Sequence, residues 1–595
     1  MVDPYHMVLV NVIASIILLI GIVIYYYIYP KKKINLLFLL IIISLLPLIS
    51  LLRKGTYESG LLSENVGVVI SFYNSLMDGI LKPMWSANAC SGYGCPLFIF
   101  QYPLPFYVAS FFHYVGFSFI SSVKLMLAVA FIASGVAMYF WAKDELGKIS
   151  GFSASIFYLF APYHLASMHF RVSVGEVLSF VFPPLVLLFS KKIVETGKFY
   201  WIFLSAAALA LLVLSHQVTS FATFPFIIAY IIFMYFRNKN KEIKYFLYSF
   251  MSILLGIFLS AFYWIPVLAE RNYMKLALAN EVVFQPFWYY IYSPFQYRFG
   301  LLFQGQHGEL YTNVGYASLI ILAISLFLHF TNRINKSNRS FYLFLLVSFF
   351  IYFIMMQQIT SPIWYSNHIL IDIEFTWRFL IEISFIIAMI AGITLKSINK
   401  KWFTILVCMF AILVTILNWG NRKMLSQVTD TNFINAPMYI EKPCITELST
   451  PIWVDNCASW IGTFPKNHLQ VLKGNATVKQ IYRTSIKHSY VVDANTRVLL
   501  KENTYYYPGW TVYANDKEIP IIKNNSQYKG IITFNLPKGL YKIDVVFKRT
   551  LDRIIGDTIS LITFILLIII ALLKKILLLL NSKKFKKSKR LIIKL

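Results

Sequence analysis

The chain has 595 residues, of which 58% are hydrophobic and only 13% charged, with a mean hydropathy of +0.64; a water-soluble fold of this length is excluded. The formal net charge is +28, but the basic residues fall in short clusters between apolar runs, a pattern that sets membrane topology and argues against a nucleic-acid partner.

Apolar runs of about 18 residues can cross roughly 30 Å of hydrocarbon. They predict about thirteen spans, at 8–29, 35–52, 119–141, 150–167, 176–190, 199–215, 220–236, 245–268, 314–330, 341–357, 379–396, 402–420 and 554–573. Met1–Met7 has no basic n-region, and Lys31-Lys32-Lys33 follows the first run. An uncleaved anchor with its N-terminus outside is expected. The basic clusters at Lys143/Lys148, Lys191/Lys192/Lys198, Arg237–Lys244, Arg333–Arg339, Lys396–Lys401 and Lys583–Arg590 all fall on one side of this layout. That side is expected to be the cytoplasm.

The opposite face then holds the irregular segments. The loop 53–118 is broken by Gly92-Tyr93-Gly94-Cys95-Pro96, Pro103 and Pro105, which prevent one continuous helix. Trp85, Tyr93 and Tyr102 belong to its dense aromatic population, suited to a membrane–water interface and to a substrate. Pro105–Gly116 is too short to span and is expected to lie in the interface or re-enter. Residues 421–553 change character, with short alternating strands separated by turns at Pro508-Gly509, Asn515-Asp516, Asn524-Asn525 and Pro537-Lys538-Gly539. They predict a small extracytoplasmic β-sandwich tethered at both ends by helices. The predicted fold is therefore a polytopic α-helical membrane core over 1–420, a β-rich domain over 421–553, and a final span with a basic tail over 554–595.

Five cysteines occur. Cys90/Cys95 and Cys444/Cys457 could form two short-range disulfides in an oxidising compartment, or stand as thiols. No zinc-spaced His pair accompanies them, and no metal site is assigned.

Charges near spans need a reason. Arg171 and Glu176 sit between two spans, and Arg378 opens another with Glu382 one helical turn on, where the two could pair. Arg171 and Arg378 are candidates for holding an anionic headgroup such as a phosphate. His216, after an all-apolar run, is either a hydrogen-bonded cap or a participant in that site. Glu64, on the outer loop near a span, is the leading candidate base, with Asp78 and Glu176 as competitors; the plainer reading is a solvated loop acid.

The ordered set Gly79-x-x-x-Pro83-x-Trp85, Gly92-Tyr93-Gly94-x-Pro96-Leu97, Tyr102-Pro103-Leu104-Pro105, Arg171-x-x-x-x-Glu176, Pro183-Pro184-Leu185, Tyr263-Trp264-x-Pro266 with Glu270, Trp377-Arg378-Phe379, Tyr507-Pro508-Gly509-Trp510 and Leu536-Pro537-x-Gly539 resembles the multi-pass "6-pyruvoyl-tetrahydropterin synthase-related" proteins, close to YfhO-like membrane proteins. Both are similar to C-type (GT-C) glycosyltransferases. Nothing in these residues suggests pterin chemistry. The resemblance implies a GT-C-like core of about thirteen helices. It implies transfer of a sugar from a polyprenyl-phosphate carrier to an envelope glycan, lipid or protein outside the cytoplasm. Membrane lipid is then a further partner, and a divalent metal is the one cofactor left open. It implies Glu64 as base, with Trp264 and Trp377 beside the substrate. Relatives commonly place an Asp followed closely by His in the first outer loop; here the acid is Glu64, and no His occurs in this loop before His113. A flippase for a lipid-linked saccharide and a non-catalytic envelope scaffold are the alternatives.

Overall fold

The computed structural model describes residues 6–29, 32, 34–238, 241–275, 281–291, 312–366, 368–416, 419–420, 423–434, 450–454, 465 and 467–592. Among these, seven helices are long and apolar enough to cross a membrane: Met7–Tyr25, Phe119–Leu146, Val174–Thr196, Gln217–Arg237, Lys336–Met355, Thr376–Ile398 and Leu551–Leu573. The pair Ile243–Leu259 and Ala261–Tyr273, bent by 65°, makes an eighth if counted as one span. Leu36–Leu52, Phe199–Ser215, Tyr316–Phe330 and Lys401–Leu413 are apolar but shorter. Among the described residues, seven helices, or eight with the bent pair, thus have full spanning length, and shorter apolar helices stand beside them. The span expected at 150–167 is broken: its helix is Lys148–Leu159, and Pro162 opens a separate turn because it cannot continue the ladder.

Thr376–Ile398 is the centre of the bundle, with every residue from Leu380 to Leu395 buried. Small residues let its neighbours approach. A Cβ on Gly392 would stand 3.1 Å from the Ser150 carbonyl oxygen, and one on Gly151 would stand 2.7 Å from the Lys143 nitrogen. At one end of the bundle Lys191 lies 2.8 Å from Asp144 and 3.1 Å from Glu145, which also meets Arg237 at 3.0 Å. That network ties together the ends of three helices.

The other end carries the aromatic loop and the β domain. The loop folds into Leu62–Met77, a tight turn near Cys90–Gly92, and Leu104–Tyr114. This last helix has 11 residues, too few to cross, and Phe111 and Tyr114 remain exposed.

The β domain is an antiparallel sandwich. One sheet orders its strands Ala476–Arg483, Lys487–Ala494, Gly539–Phe547, Trp510–Ala514, Lys517–Ile519; the other orders Leu469–Lys473, Val498–Tyr505, Ile531–Leu536. The hairpin Ala514↔Lys517 turns on Asn515 and Asp516, both at positive φ (47° and 64°). That conformation matches the right-handed twist of the flanking strands.

This domain is seated on the loop and on the last helix. Trp85, almost fully buried, packs against Trp510 and Phe547 at ring distances of 5.3 and 5.2 Å. Tyr93 stacks on Tyr505 at 5.5 Å and accepts its backbone N–H. Glu270, at the end of the bent span, forms a two-pronged pair with Arg553 at 2.7 and 2.8 Å. Arg553 also donates to the Pro508 and Lys548 carbonyls of the β domain.

Candidate functional site

The segment Ala161–Ser173 shapes the site. Ser167–Arg171 widens into a π turn, and Val172 then adopts φ 53°, which a β-branched residue takes only under constraint. The neighbouring loop supplies that constraint. Asn65 Nδ2 donates to the Val172 carbonyl at 2.9 Å, and the Gly60 N–H donates to the Phe170 carbonyl at 2.7 Å.

Glu176 follows on the first turn of Val174–Ser179, with no exposure. Its Oε2 lies 2.5 Å from Arg171 Nη1 and accepts from the Tyr163 and Ser167 hydroxyls at 3.0 and 3.2 Å. Tyr163 in turn accepts from Arg171 at 2.9 Å. Arg378 Nε faces Oε1 at 3.5 Å. Arg378 also donates to the Ile373 carbonyl at 2.5 Å and lies over the Phe375 ring at 4.8 Å. The two guanidiniums keep 16% and 12% exposure while the carboxylate keeps none. The site therefore turns positive charge outward. Burial works against the Arg171 charge, but Glu176 and Tyr163 more than offset it and hold the guanidinium above its usual value.

Arg171 and Arg378 are thus brought together as expected, and Glu176 sits between them. Glu176 does not fit the role of base. A sealed carboxylate held by two guanidiniums cannot reach an acceptor hydroxyl, so it is a positioning residue. Tyr102 closes one wall, 5.0 Å from His216 by ring centroids, and a Cβ on Gly175 would collide with its ring at 2.4 Å. Burial, reinforced by Glu176, pushes the Tyr102 hydroxyl up to about 12, so it stays neutral. His216 caps Gln217–Arg237, its Nδ1 accepting the Thr219 N–H at 3.1 Å. Burial holds the imidazole well below the usual histidine range, outweighing the opposing pull of Glu176.

Glu64 is exposed on the first turn of Leu62–Met77, the helix whose start is stitched to Phe170–Val172. Trp377 packs against Phe375 at 4.6 Å, the rings tilted by 33°, beside Arg378, and its buried indole N–H has no hydrogen-bond partner among the described residues.

Other expected members lie elsewhere. Asp78 accepts from the Ser485 N–H and hydroxyl at 2.8 and 3.0 Å; it anchors the β domain. Trp85 and Tyr93 are spent on the same interface. Trp264 donates to the Ile257 carbonyl at 2.9 Å, bracing the bend in its span. Arg378 does not pair with Glu382, which turns instead to Thr223 at 2.7 Å. The Cys90–Cys95 bridge is not formed: Cys95 is drawn into an antiparallel bridge with Ser86, while Cys90 opens a left-handed turn at φ 53°. Cys444 and Cys457 lie outside the described residues.

The sequence reading missed Tyr163 and Ser167, and gave Glu374 no part in this site. The first two precede Arg171 at steps of four, a spacing that places three polar groups along one helix face. Glu374 lies 3.5 Å from Arg378 and carries a positive φ of 65°. Its neighbour Asp372 pairs with Arg271 at 2.5 Å. Among the described residues no three His, Cys, Asp or Glu side chains are grouped to hold a metal ion.

The chain is similar to several known proteins. An uncharacterized protein of Lactococcus lactis subsp. cremoris (strain MG1363) is 26% identical over 326 residues, covering 52% of this chain. The match spans 51% of that relative's length. Among solved structures, arabinofuranosyltransferase AftD from Mycobacteria aligns at 14% identity and TM-score 0.43, covering 66% of this chain and 27% of that one. The Archaeoglobus fulgidus oligosaccharyltransferase aligns at 11% identity and TM-score 0.35, over 67% and 56%. The family described as "6-pyruvoyl-tetrahydropterin synthase related domain; membrane protein" matches residues 99–425, more than half of the chain and including Arg171, Glu176 and Arg378. The chain belongs to this family of membrane proteins.

Proposed function

We propose that the protein is an integral-membrane glycosyltransferase that moves a sugar from a polyprenyl-phosphate carrier to an envelope glycan, lipid or protein. The observation that carries this reading is the pair Arg171 and Arg378, both partly exposed, clamped on one sealed carboxylate at the β-domain end of the bundle. Guanidiniums suit phosphate oxygens geometrically as well as electrostatically. The polyprenyl tail stays in the bilayer and its phosphate sits against Arg171 and Arg378. An acceptor hydroxyl attacks the anomeric carbon as Glu64 takes its proton. The bond from that carbon to the lipid phosphate breaks, and the guanidiniums stabilise the charge that develops on the leaving phosphate. On this reading the end that carries the β domain is extracytoplasmic and the basic tail cytoplasmic.

The test is transfer of labelled sugar from polyprenyl-phosphate donors by purified protein in lipid, wild type beside Glu64→Gln. Transfer by the wild type and none by a folded Glu64→Gln supports both the activity and the base. Transfer by both removes Glu64 from that role. No transfer across a panel of donors and acceptors counts against the enzyme.

A further inference from the structure

Glu382 lies inside the central span, buried, one turn below Arg378. Ionisable groups at such depth are costly and need a partner. Among the described residues no Lys, Arg or His comes within ion-pair distance of it. Arg378 is engaged with Ile373, Glu374 and Glu176. The charged and titratable groups facing Glu382 from packed elements are Tyr158, Tyr352 and Glu176. Both tyrosine hydroxyl protons go to backbone carbonyls, Tyr158 to Phe180 at 2.7 Å and Tyr352 to Ala222 at 2.8 Å.

That leaves Thr223, whose Oγ1 lies 2.7 Å from Glu382 Oε1 and 2.8 Å from the Thr219 carbonyl oxygen. A hydroxyl has one hydrogen and cannot donate fully to two acceptors. If the threonine proton goes to Thr219, the Glu382 contact needs a hydrogen from the carboxyl. The other oxygen, Oε2, is buried with no hydrogen-bond partner, and with no cation beside either oxygen that burial is costly for an ionised carboxylate. Glu176 is the contrast: its Oε1 also lacks a hydrogen bond, but Arg378 Nε stands 3.5 Å from it and Oε2 accepts from Arg171, Tyr163 and Ser167.

We propose that Glu382 is held as a neutral carboxylic acid that donates its proton to Thr223 Oγ1, beneath the ionised Arg171–Glu176–Arg378 cluster. It is a positioning residue. Its neutrality keeps a third carboxylate out of a cluster in which Glu176 and Glu374 already balance the two guanidiniums; an ionised Glu382 would tip that cluster negative and disfavour a phosphate. Only this last consequence rests on the phosphate-binding reading.

The experiment is infrared spectroscopy of the full-length protein in lipid at neutral pH, wild type against Glu382→Gln. The carbonyl stretch of a protonated carboxyl should be present in the wild type and lost in Glu382→Gln. Thr223→Val, which keeps the carboxyl but removes its acceptor, should move that band to higher frequency, and it serves if Glu382→Gln fails to fold. Spectra identical in that region for wild type and folded Glu382→Gln, or no shift in Thr223→Val, would overturn the proposal. Absence of sugar transfer would count against the glycosyltransferase and not against this assignment, since the infrared readout needs no substrate.

Discussion

Arg171 Nη1 stands 2.5 Å from Glu176 Oε2, and the same carboxylate faces Arg378 across 3.5 Å through its other oxygen. One sealed acid thus fixes the spacing of two partly exposed guanidiniums that come from different ends of the sequence. Removing the acid leaves Arg171 without its carboxylate and Arg378 with only Glu374 at 3.5 Å. Glu176→Ala should destabilise the protein by about 3–5 kcal/mol, read as a lowered unfolding midpoint in lipid. Glu176→Asp, which keeps the charge on a shorter stem, should recover part of that loss.

The pair Glu270–Arg553 joins the bent span, the final helix and the β domain. Glu270→Gln or Arg553→Met alone should each cost about 3–5 kcal/mol, because each strands a buried charge. The double variant Glu270→Gln/Arg553→Met should cost clearly less than the sum. Denaturation midpoints of the four proteins decide this.

The β domain holds a buried acid of its own. Glu502 meets Arg483 at 2.8 Å and His488 at 2.9 Å. Burial alone would raise this carboxyl, yet His488 and Arg483 hold it well below the usual carboxylate range. A carboxyl depressed in the folded state contributes stability above its unfolded value, about 4.3. That contribution is lost as pH falls through that value toward the folded one. Hydrogen exchange along Val498–Tyr505 should therefore quicken as pH is lowered below about 5, after correction for intrinsic exchange rates. In Glu502→Gln this acid sensitivity should be smaller.

Asp78 pins the loop to the β domain through two charge-assisted bonds to Ser485. Asp78→Ala should cost about 1–3 kcal/mol and raise exchange at the Ser485 turn. The Arg171–Glu176 cluster should stay intact.

Much of this was legible in the sequence, and the failures have physical causes. The apolar runs located the bundle, and the strand and turn pattern from Arg497 to Phe547 located the sandwich. The pairing of Arg171 with Arg378 could be anticipated because each is a cation beside a span and needs a counterion. Apolar runs do not reveal where a proline ends a helix, as at Pro162, where the run 150–167 divides. Asp78, Trp85 and Tyr93 looked like site residues because an aromatic, acidic loop reads the same whether it faces a substrate or a second domain. Arg378 and Glu382 share the helix spacing that favours pairing, yet Glu176, from another element, wins the guanidinium. No local pattern records that competition.

The most direct measurement is binding of a polyprenyl monophosphate to the purified protein in vesicles, wild type beside Arg378→Gln. The account predicts saturable binding by the wild type, and at least about a tenfold loss in folded Arg378→Gln, the equivalent of one charge-assisted contact of about 1.4 kcal/mol. Equal binding by both proteins would contradict it.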